Sequence, residues 1–149
     1  MISSATRGIR KIAAPTVLAV LMWAPPELAS GQTIMGAEAA RKYNEKPLTV
    51  AIPPSITPQE VEEVMTRALN GRKWTVVQQS PEEVIGTLDH RGFKAKVMLR
   101  VDGSVVKILN ESQYTSPNTG QLEPGIPKGW LRNLEKDMNA FFAAKVARK

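Results

Sequence analysis

The chain has 149 residues, of which 42% are hydrophobic, and a formal net charge of +6 at pH 7. This length and composition fit one globular domain. The chain contains no cysteine, which excludes disulfide bonds, thiolate catalysis and cysteine-ligated metal sites. The lysines and arginines are scattered and form no basic run, so the charge bears on solubility and attraction to anions and does not define a partner.

The amino-terminal segment 1–31 predicts a secretory signal peptide. Basic residues precede an apolar run over 12–23, and small residues at 29–31 offer a cleavage site. The run of about 12 residues is too short for the roughly 20 that span a bilayer. The acceptor cysteine of a lipoprotein signal is also missing. We therefore expect neither a transmembrane anchor nor a lipid anchor after cleavage. The alternative is an apolar helix buried in the domain.

The segment 32–46 predicts a linker in which 37–43 is transiently helical, because its alanines and charged residues show no strong apolar stripe. The alternative is a short marginal helix. We expect a single domain over 47–147. Its first strand covers 48–52 and ends at Pro53 and Pro54. Proline at that place is typical of an edge strand.

The helix that follows is the most clearly marked element of the chain. Thr57 predicts the N-cap, Pro58 occupies the first helical position and Glu60 completes a capping box. We expect Gly71 to end the helix in the left-handed conformation. Apolar residues at helical spacing predict the buried stripe, which consists of Val61, Val64, Met65, Ala68 and Leu69.

Strand patterns then predict an antiparallel meander. They cover 73–79, 84–89, 93–101 and 104–109. Arg91 and Gly92 are the expected centre of its first tight turn. Asp102 and Gly103 predict a type I′ turn for the second hairpin. That turn would set the cross-strand pairs Val101–Ser104, Leu99–Val106 and Val97–Ile108.

The stretch 111–128 is polar and rich in proline and glycine, and its length predicts a functional or disordered loop. A second amphipathic helix covers 130–147. The predicted order is β-α-β-β-β-β-α, an α+β fold in which two helices cover one face of a mostly antiparallel sheet. Trp74 and Trp130 are the expected core anchors. The apolar stripe of the last helix consists of Trp130, Leu131, Leu134, Met138, Phe141 and Phe142.

The uncovered face of this sheet is the predicted partner-binding surface. Side chains alternate across a strand, so basic and apolar residues of two neighbouring strands point away from the helices together. This combination suits an envelope protein or an anionic envelope component as the partner. The alternative is a set of ordinary solvent-facing strand residues. We call this surface the outer face; it consists of Lys96, Met98, Arg100, Val105, Lys107 and Leu109.

The sequence predicts no catalytic residue, no cofactor and no metal site. His90 is the only histidine, and Asp89 beside it points to the opposite side of the strand, so the two do not form a dyad. A metal would need further histidine or cysteine ligands. The outer face also lacks the aromatic side chains that stack on single-stranded nucleic acid. A nucleic-acid partner is therefore not expected.

Two motifs of the chain resemble motifs of small exported bacterial envelope proteins and lipoproteins of unassigned function. Residues 68–74, ALNGRKW, resemble the A-L-x-G-R-x-W segment that ends a capped helix in those proteins. Residues 130–134, WLRNL, resemble their closing W-x-x-N-L helix. The resemblance covers roughly 48–142. It implies an envelope location and supplies no activity.

Three functions are compatible with these observations. The leading hypothesis is a small soluble periplasmic module, exported by its signal peptide, which binds or scaffolds a ligand and is not an enzyme. The second is an envelope hydrolase or inhibitor whose polar site is built from the 111–128 loop. The third and weakest is a polyanion binder.

Overall fold

The computed structural model describes residues 33–149, so the predicted signal peptide lies outside the described residues. Within them the chain forms three helices and eight strands, and every strand pairing is antiparallel. The fold is α+β, as predicted. The elements are β1 (Thr33–Met35), α1 (Ala37–Glu45), β2 (Leu48–Ala51), α2 (Pro58–Gly71), β3 (Thr75–Gln79), β4 (Glu83–His90), β5 (Phe93–Asp102), β6 (Val105–Asn110), β7 (Gln113–Thr115), β8 (Leu122–Pro127) and α3 (Lys128–Val146).

The sheet is organised around β5, its longest strand. One edge of β5 pairs with β4, which continues to β3. The other edge pairs first with β7 and then with β6 in one continuous register. The sheet divides here, because β6 continues to β2 while β7 continues to β8 and β1. The predicted meander is therefore the centre of a larger, forked sheet.

Both turns of the meander have two-residue loops, but they are of different types. Arg91 (φ 50°) and Gly92 (φ 81°) are both left-handed, as a type I′ turn requires, and this turn is where the sequence predicts it. The second loop consists of Gly103 and Ser104, and only Gly103 in that loop has a positive φ, of 60°. Glycine at the first of the two loop positions is typical of a type II′ turn. The predicted loop at Asp102 and Gly103 is wrong by one residue.

The shifted turn changes the register of the hairpin. Asp102 forms the last ladder pair with Val105 and is not part of the loop. Every predicted partner on β6 is consequently replaced by the residue two positions further along. A shift of two keeps the alternation of side chains, so the faces of both strands are the predicted ones. The observed pairs are Val101–Val106, Leu99–Ile108 and Val97–Asn110.

α2 follows its prediction at the amino-terminal end and along its buried side. Thr57 Oγ1 accepts a hydrogen bond from Glu60 N at 3.3 Å, and Glu60 Oε2 accepts one from Thr57 N at 2.8 Å. All five stripe residues are buried. The prediction that Gly71 is left-handed is wrong. The positive φ (64°) belongs to Lys73, whose N–H donates to Asn70 O.

One apolar core lies between the helices and the sheet face formed by alternate residues of β5. Leu69 of α2, Leu99 of β5 and Leu134 of α3 are all fully buried within it. Trp74 is confirmed as a core anchor at 4% exposure. Trp130 is only half-buried, and its ring meets that of Trp74 edge-on at 6.3 Å. Trp130 therefore closes one end of the core.

The segment predicted as a linker is a structured part of the domain. β1 pairs with β8, and α1 packs Ala39, Ala40 and Tyr43 against the core. Tyr43 Oη donates a hydrogen bond to Ile108 O at 2.8 Å. α1 has no fully buried residue, and its apolar residues are only three alanines and Tyr43, which is why the sequence favoured a linker. The described domain begins at Thr33, and three helices pack on it where two were predicted.

The stretch predicted as a loop contains two strands. β7 and β8 pair with each other, and Ser116 N donates to Gln121 O in the turn between them. Ile126 is 1% exposed, whereas Leu122 is 43% exposed and does not anchor the segment. β7 has only three residues, too few to show alternation. β8 contains Pro124, Gly125 and Pro127, which are not typical of a strand.

Candidate functional site

The structure brings the six predicted residues onto one face of the sheet. Met98 lies opposite Leu109, and Arg100 lies opposite Lys107. Val105 is the first residue of β6, beside the turn. Lys96 O accepts a hydrogen bond from Glu111 N, just after β6 ends. The alternation of β5 and β6 thus positions these side chains away from the core, as the sequence predicts. That this face binds a partner stays a prediction.

Each cation of the outer face is paired with a nearby carboxylate. These acidic neighbours were not part of the predicted surface, which was assigned to an envelope protein or an anionic envelope component. Because the pairs lie at the solvent-exposed surface, they contribute little to stability. A hydrogen bond from Lys107 lowers the pKa of the Asp102 carboxyl below its ordinary value. The pairs are Arg100–Glu83 (Nε to Oε2, 2.7 Å), Lys96–Glu111 (Nζ to Oε2, 2.8 Å) and Lys107–Asp102.

The pairing changes the electrostatic character of the outer face. Three positive charges and three negative charges lie on the same surface, so it carries no excess of positive charge. Polyanion binding depends on replacing condensed counterions with unpaired lysines and arginines. A neutral mosaic of charges does not provide that. The outer face is therefore better suited to a protein surface of mixed charge than to a polyanion.

An apolar row crosses the outer face between these ion pairs. Ile85 of β4, Met98 of β5 and Leu109 of β6 are direct neighbours in the register of the three strands. Met98 is only 9% exposed although it does not belong to the core cluster. Ile85 and Leu109 are half-buried. The row forms a small apolar centre with charged residues on both sides.

A shallow cavity lies next to the Lys96–Glu111 pair. Its volume is about 340 Å³, and its walls come from β4, β5 and the start of β7. Both charged and apolar side chains contribute to it. It could receive one side chain of a partner. The lining residues are Thr87, Leu88, Asp89, Lys94, Ala95, Lys96, Glu111 and Gln113.

The buried polar side chains where β6 passes into β7 have structural partners. Asn110 Nδ2 donates to Gly125 O at 3.0 Å, and Asn110 N donates to Asn44 Oδ1 at 2.9 Å. Ser112 N donates to Asn110 Oδ1 at 3.3 Å. Ser112 Oγ accepts from Lys96 N at 3.1 Å. These groups satisfy the backbone where the sheet divides, so the 111–128 segment does not present them to a substrate.

His90 is exposed at the end of β4, and its ring lies 6.0 Å from the ring of Trp130. Asp89 beside it lies opposite Lys94 in the ladder. In residues 33–149, no group of three or more His, Asp or Glu residues is placed to hold a metal ion. None of the helices in this described region is both long and apolar enough to cross a membrane.

Sequence reasoning missed a second cavity, between the end of α1 and the start of α3. Its volume is about 200 Å³. The only local signal was that Lys128 and Arg132 are four residues apart, the spacing that places two side chains on one side of a helix. Lys46, the third basic residue, is far away in sequence. We call this cavity the basic notch; it is lined by Tyr43, Lys46, Leu48, Lys128, Leu131 and Arg132.

Comparisons with protein-family models, with curated proteins and with solved structures find no match to this chain. The resemblance to exported envelope proteins therefore stays a prediction. The geometry of the outer face and of the basic notch is what supports a function.

Proposed function

We propose that this chain is a small exported, periplasmic binding module without catalytic activity, and that its outer face docks on an envelope protein. The observation that carries the proposal is the apolar row of Ile85, Met98 and Leu109, set between charge-balanced ion pairs. An apolar centre with a polar rim is the usual anatomy of a protein–protein interface. The neutral rim favours a protein of mixed surface charge over the polyanion of the weaker hypothesis.

The export part of the proposal is supported by the order of features in 1–31. The non-catalytic part is supported by the structural hydrogen bonds of Asn110 and Ser112, which occupy the polar groups nearest to the 111–128 segment. No observation favours a hydrolase or inhibitor site in that segment, where the chain forms β7 and β8.

Site-specific photocrosslinking in producing cells tests the docking surface. A photoreactive amino acid at Leu109, in the apolar row, should give one discrete adduct with an envelope protein. The same amino acid at Lys136, an exposed position on α3, is the control and should not give this adduct. Equal adduct patterns at the two positions, or no adduct at Leu109, would show that the outer face is only solvated. An adduct with a second copy of this chain would also overturn the proposed partner.

A charge-swapped variant tests whether the rim contributes to recognition. Glu83→Arg combined with Arg100→Glu keeps an ion pair within the chain but reverses its direction. We expect the thermal midpoint to stay close to that of the wild type, because exposed pairs contribute little to stability. The Leu109 adduct should fall about fivefold, which corresponds to about 1 kcal/mol of binding free energy. Retention of the full adduct would mean that the partner does not contact this pair.

A further inference from the structure

The basic notch is a second candidate binding site, separate from the outer face. It lies where the carboxyl end of α1 meets the first turn of α3. Tyr43 and Lys46 come from α1 and its cap, Leu48 comes from β2, and α3 contributes Lys128, Leu131 and Arg132. Three elements distant in sequence thus form one cavity.

The cations of the notch differ from those of the outer face in having no carboxylate partner. Among the described residues, no carboxylate lies within ion-pair distance of Lys46, Lys128 or Arg132. Each outer-face cation, in contrast, has a carboxylate at that distance. The neighbouring acid Glu45 is already paired with Arg41 at 3.2 Å. The positive potential of the notch is therefore not cancelled locally.

Glu135 is the carboxylate to weigh against these cations, since it is close enough to Tyr43 to affect its ionisation. Three cations against this one acid leave an excess of two positive charges. The partial positive charge at the amino end of α3 is opposed by the partial negative charge at the carboxyl end of α1, so the excess comes from the side chains. A negatively charged group is thus favoured in the notch.

The floor of the notch is apolar and neutral. Leu131 is fully buried, and Leu48 is half-buried beside it. Tyr43 presents its ring, while its hydroxyl donates to Ile108 O at 2.8 Å. The phenol is uncharged at neutral pH, and burial raises its pKa further above the ordinary value, to about 12. A ligand in the notch would meet positive side chains at the rim and apolar surface below.

We propose that the basic notch binds a small organic anion that carries a carboxylate or phosphate group on a short apolar body. Both groups are recognised by lysine and arginine through charge-assisted hydrogen bonds. The volume of about 200 Å³ is below the roughly 300–1,000 Å³ of sites for drug-sized ligands, which limits the body to about one ring. The site gives the module a ligand in addition to its proposed protein partner.

Nuclear magnetic resonance titration of the ¹⁵N-labelled protein tests this site. The probes are phenyl phosphate, benzoate and the neutral ester methyl benzoate. We expect shift changes at the amides of 43–46, 48 and 128–132 with at least one of the two anions and none with the ester. The anion that binds with the higher affinity shows whether the notch prefers a phosphate or a carboxylate. Binding of neither anion, or shift changes spread over all basic surfaces, would overturn the proposal.

Two variants test whether the anion binds in the notch. Lys128→Gln combined with Arg132→Gln should weaken binding of the effective probe by about tenfold, or about 1.4 kcal/mol. Lys136→Gln removes an exposed lysine on the same helix that does not line the notch, and it should leave the affinity unchanged. Equal affinities in the two variants would place the anion elsewhere. The Glu83 and Arg100 swap leaves the notch intact, so this proposal and the docking proposal fail independently.

Discussion

At Gly86, the sheet lies close against a side chain of α2. A Cβ atom built on Gly86 would lie 2.9 Å from Leu69 Cδ2, and Leu69 is fully buried. The leucine therefore has little room to move. We expect Gly86→Ala to lower the free energy of unfolding by about 1–3 kcal/mol through overpacking. Urea denaturation measures this change.

Gly71→Ala is the matched control for that substitution. Gly71 is the last residue of α2, its φ is not positive, and a Cβ there would have nothing within 4 Å. We expect this variant to be more stable by up to about 1 kcal/mol, because alanine favours a helix over glycine. A loss of about 1 kcal/mol would instead indicate that Gly71 is left-handed, as its sequence context alone suggested.

Tyr43 is the residue from which a specific pH dependence is expected. Burial is the main cause that raises its pKa to about 12, with a smaller contribution from Glu135. The folded-state pKa exceeds the unfolded value of about 10. Its stabilising contribution is therefore complete below pH 10 and is lost as the pH rises from about 10 to about 12.

Ultraviolet absorbance of the phenolate follows this ionisation, since the chain has only two tyrosines. We expect a titration step near pH 12 that is absent in Tyr43→Phe and present in Tyr114→Phe. A step that occurs near pH 10 and disappears in Tyr43→Phe would show that Tyr43 is exposed to solvent.

At the scale of elements, the amide of Asn44 holds α1 against the sheet. Its Nδ2 donates to Asn110 O at 2.8 Å, and its Oδ1 accepts from Asn110 N at 2.9 Å. The side chain thus provides the hydrogen bonds that a neighbouring strand would provide. We expect Asn44→Ala to lower the free energy of unfolding by about 1–3 kcal/mol, because Asn110 is buried and would lose both partners. Chemical denaturation tests this.

Glu45→Ala is the control on the same helix. Its carboxylate makes an exposed i,i+4 pair with Arg41, which contributes about 0.2–0.5 kcal/mol. A loss for Asn44→Ala that does not exceed the loss for Glu45→Ala would mean that α1 is not docked on the sheet.

For the whole molecule, export should remove the predicted signal peptide and leave the described fold intact. We expect a mature amino terminus between Ala29 and Thr33, because the small residues at 29–31 offer the cleavage site. Intact-mass measurement of the periplasmic fraction tests this. A variant with Ala29→Arg and Gly31→Arg should accumulate as a precursor, since cleavage needs small residues there. A wild-type chain that stays full-length in the membrane fraction would contradict the expectation.

α2 and the central meander could be predicted because their signals are local. The Thr57–Glu60 capping box depends on residues three positions apart, and the α2 stripe depends on the spacing of apolar residues along one helix. Strand alternation likewise placed the outer face correctly. The helical tendency of 37–43 was predicted, but the docking of α1 and the strands β7 and β8 were not, because half-buried side chains and long-range backbone pairing hold them in place.

The sequence by itself determined the α+β class, the capped helix, the central strands and the side of the sheet on which the outer face lies. Only the tertiary structure decided which charges are neutralised. Strand register brings Glu83 to Arg100, whereas the docking of α1 beside α3 leaves Lys46 and Lys128 without a partner among the described residues. The physical reason is the distance along the chain over which each interaction acts. Capping and alternation act within a few residues, but an ion pair such as Glu83–Arg100 forms only after strands distant in sequence have paired.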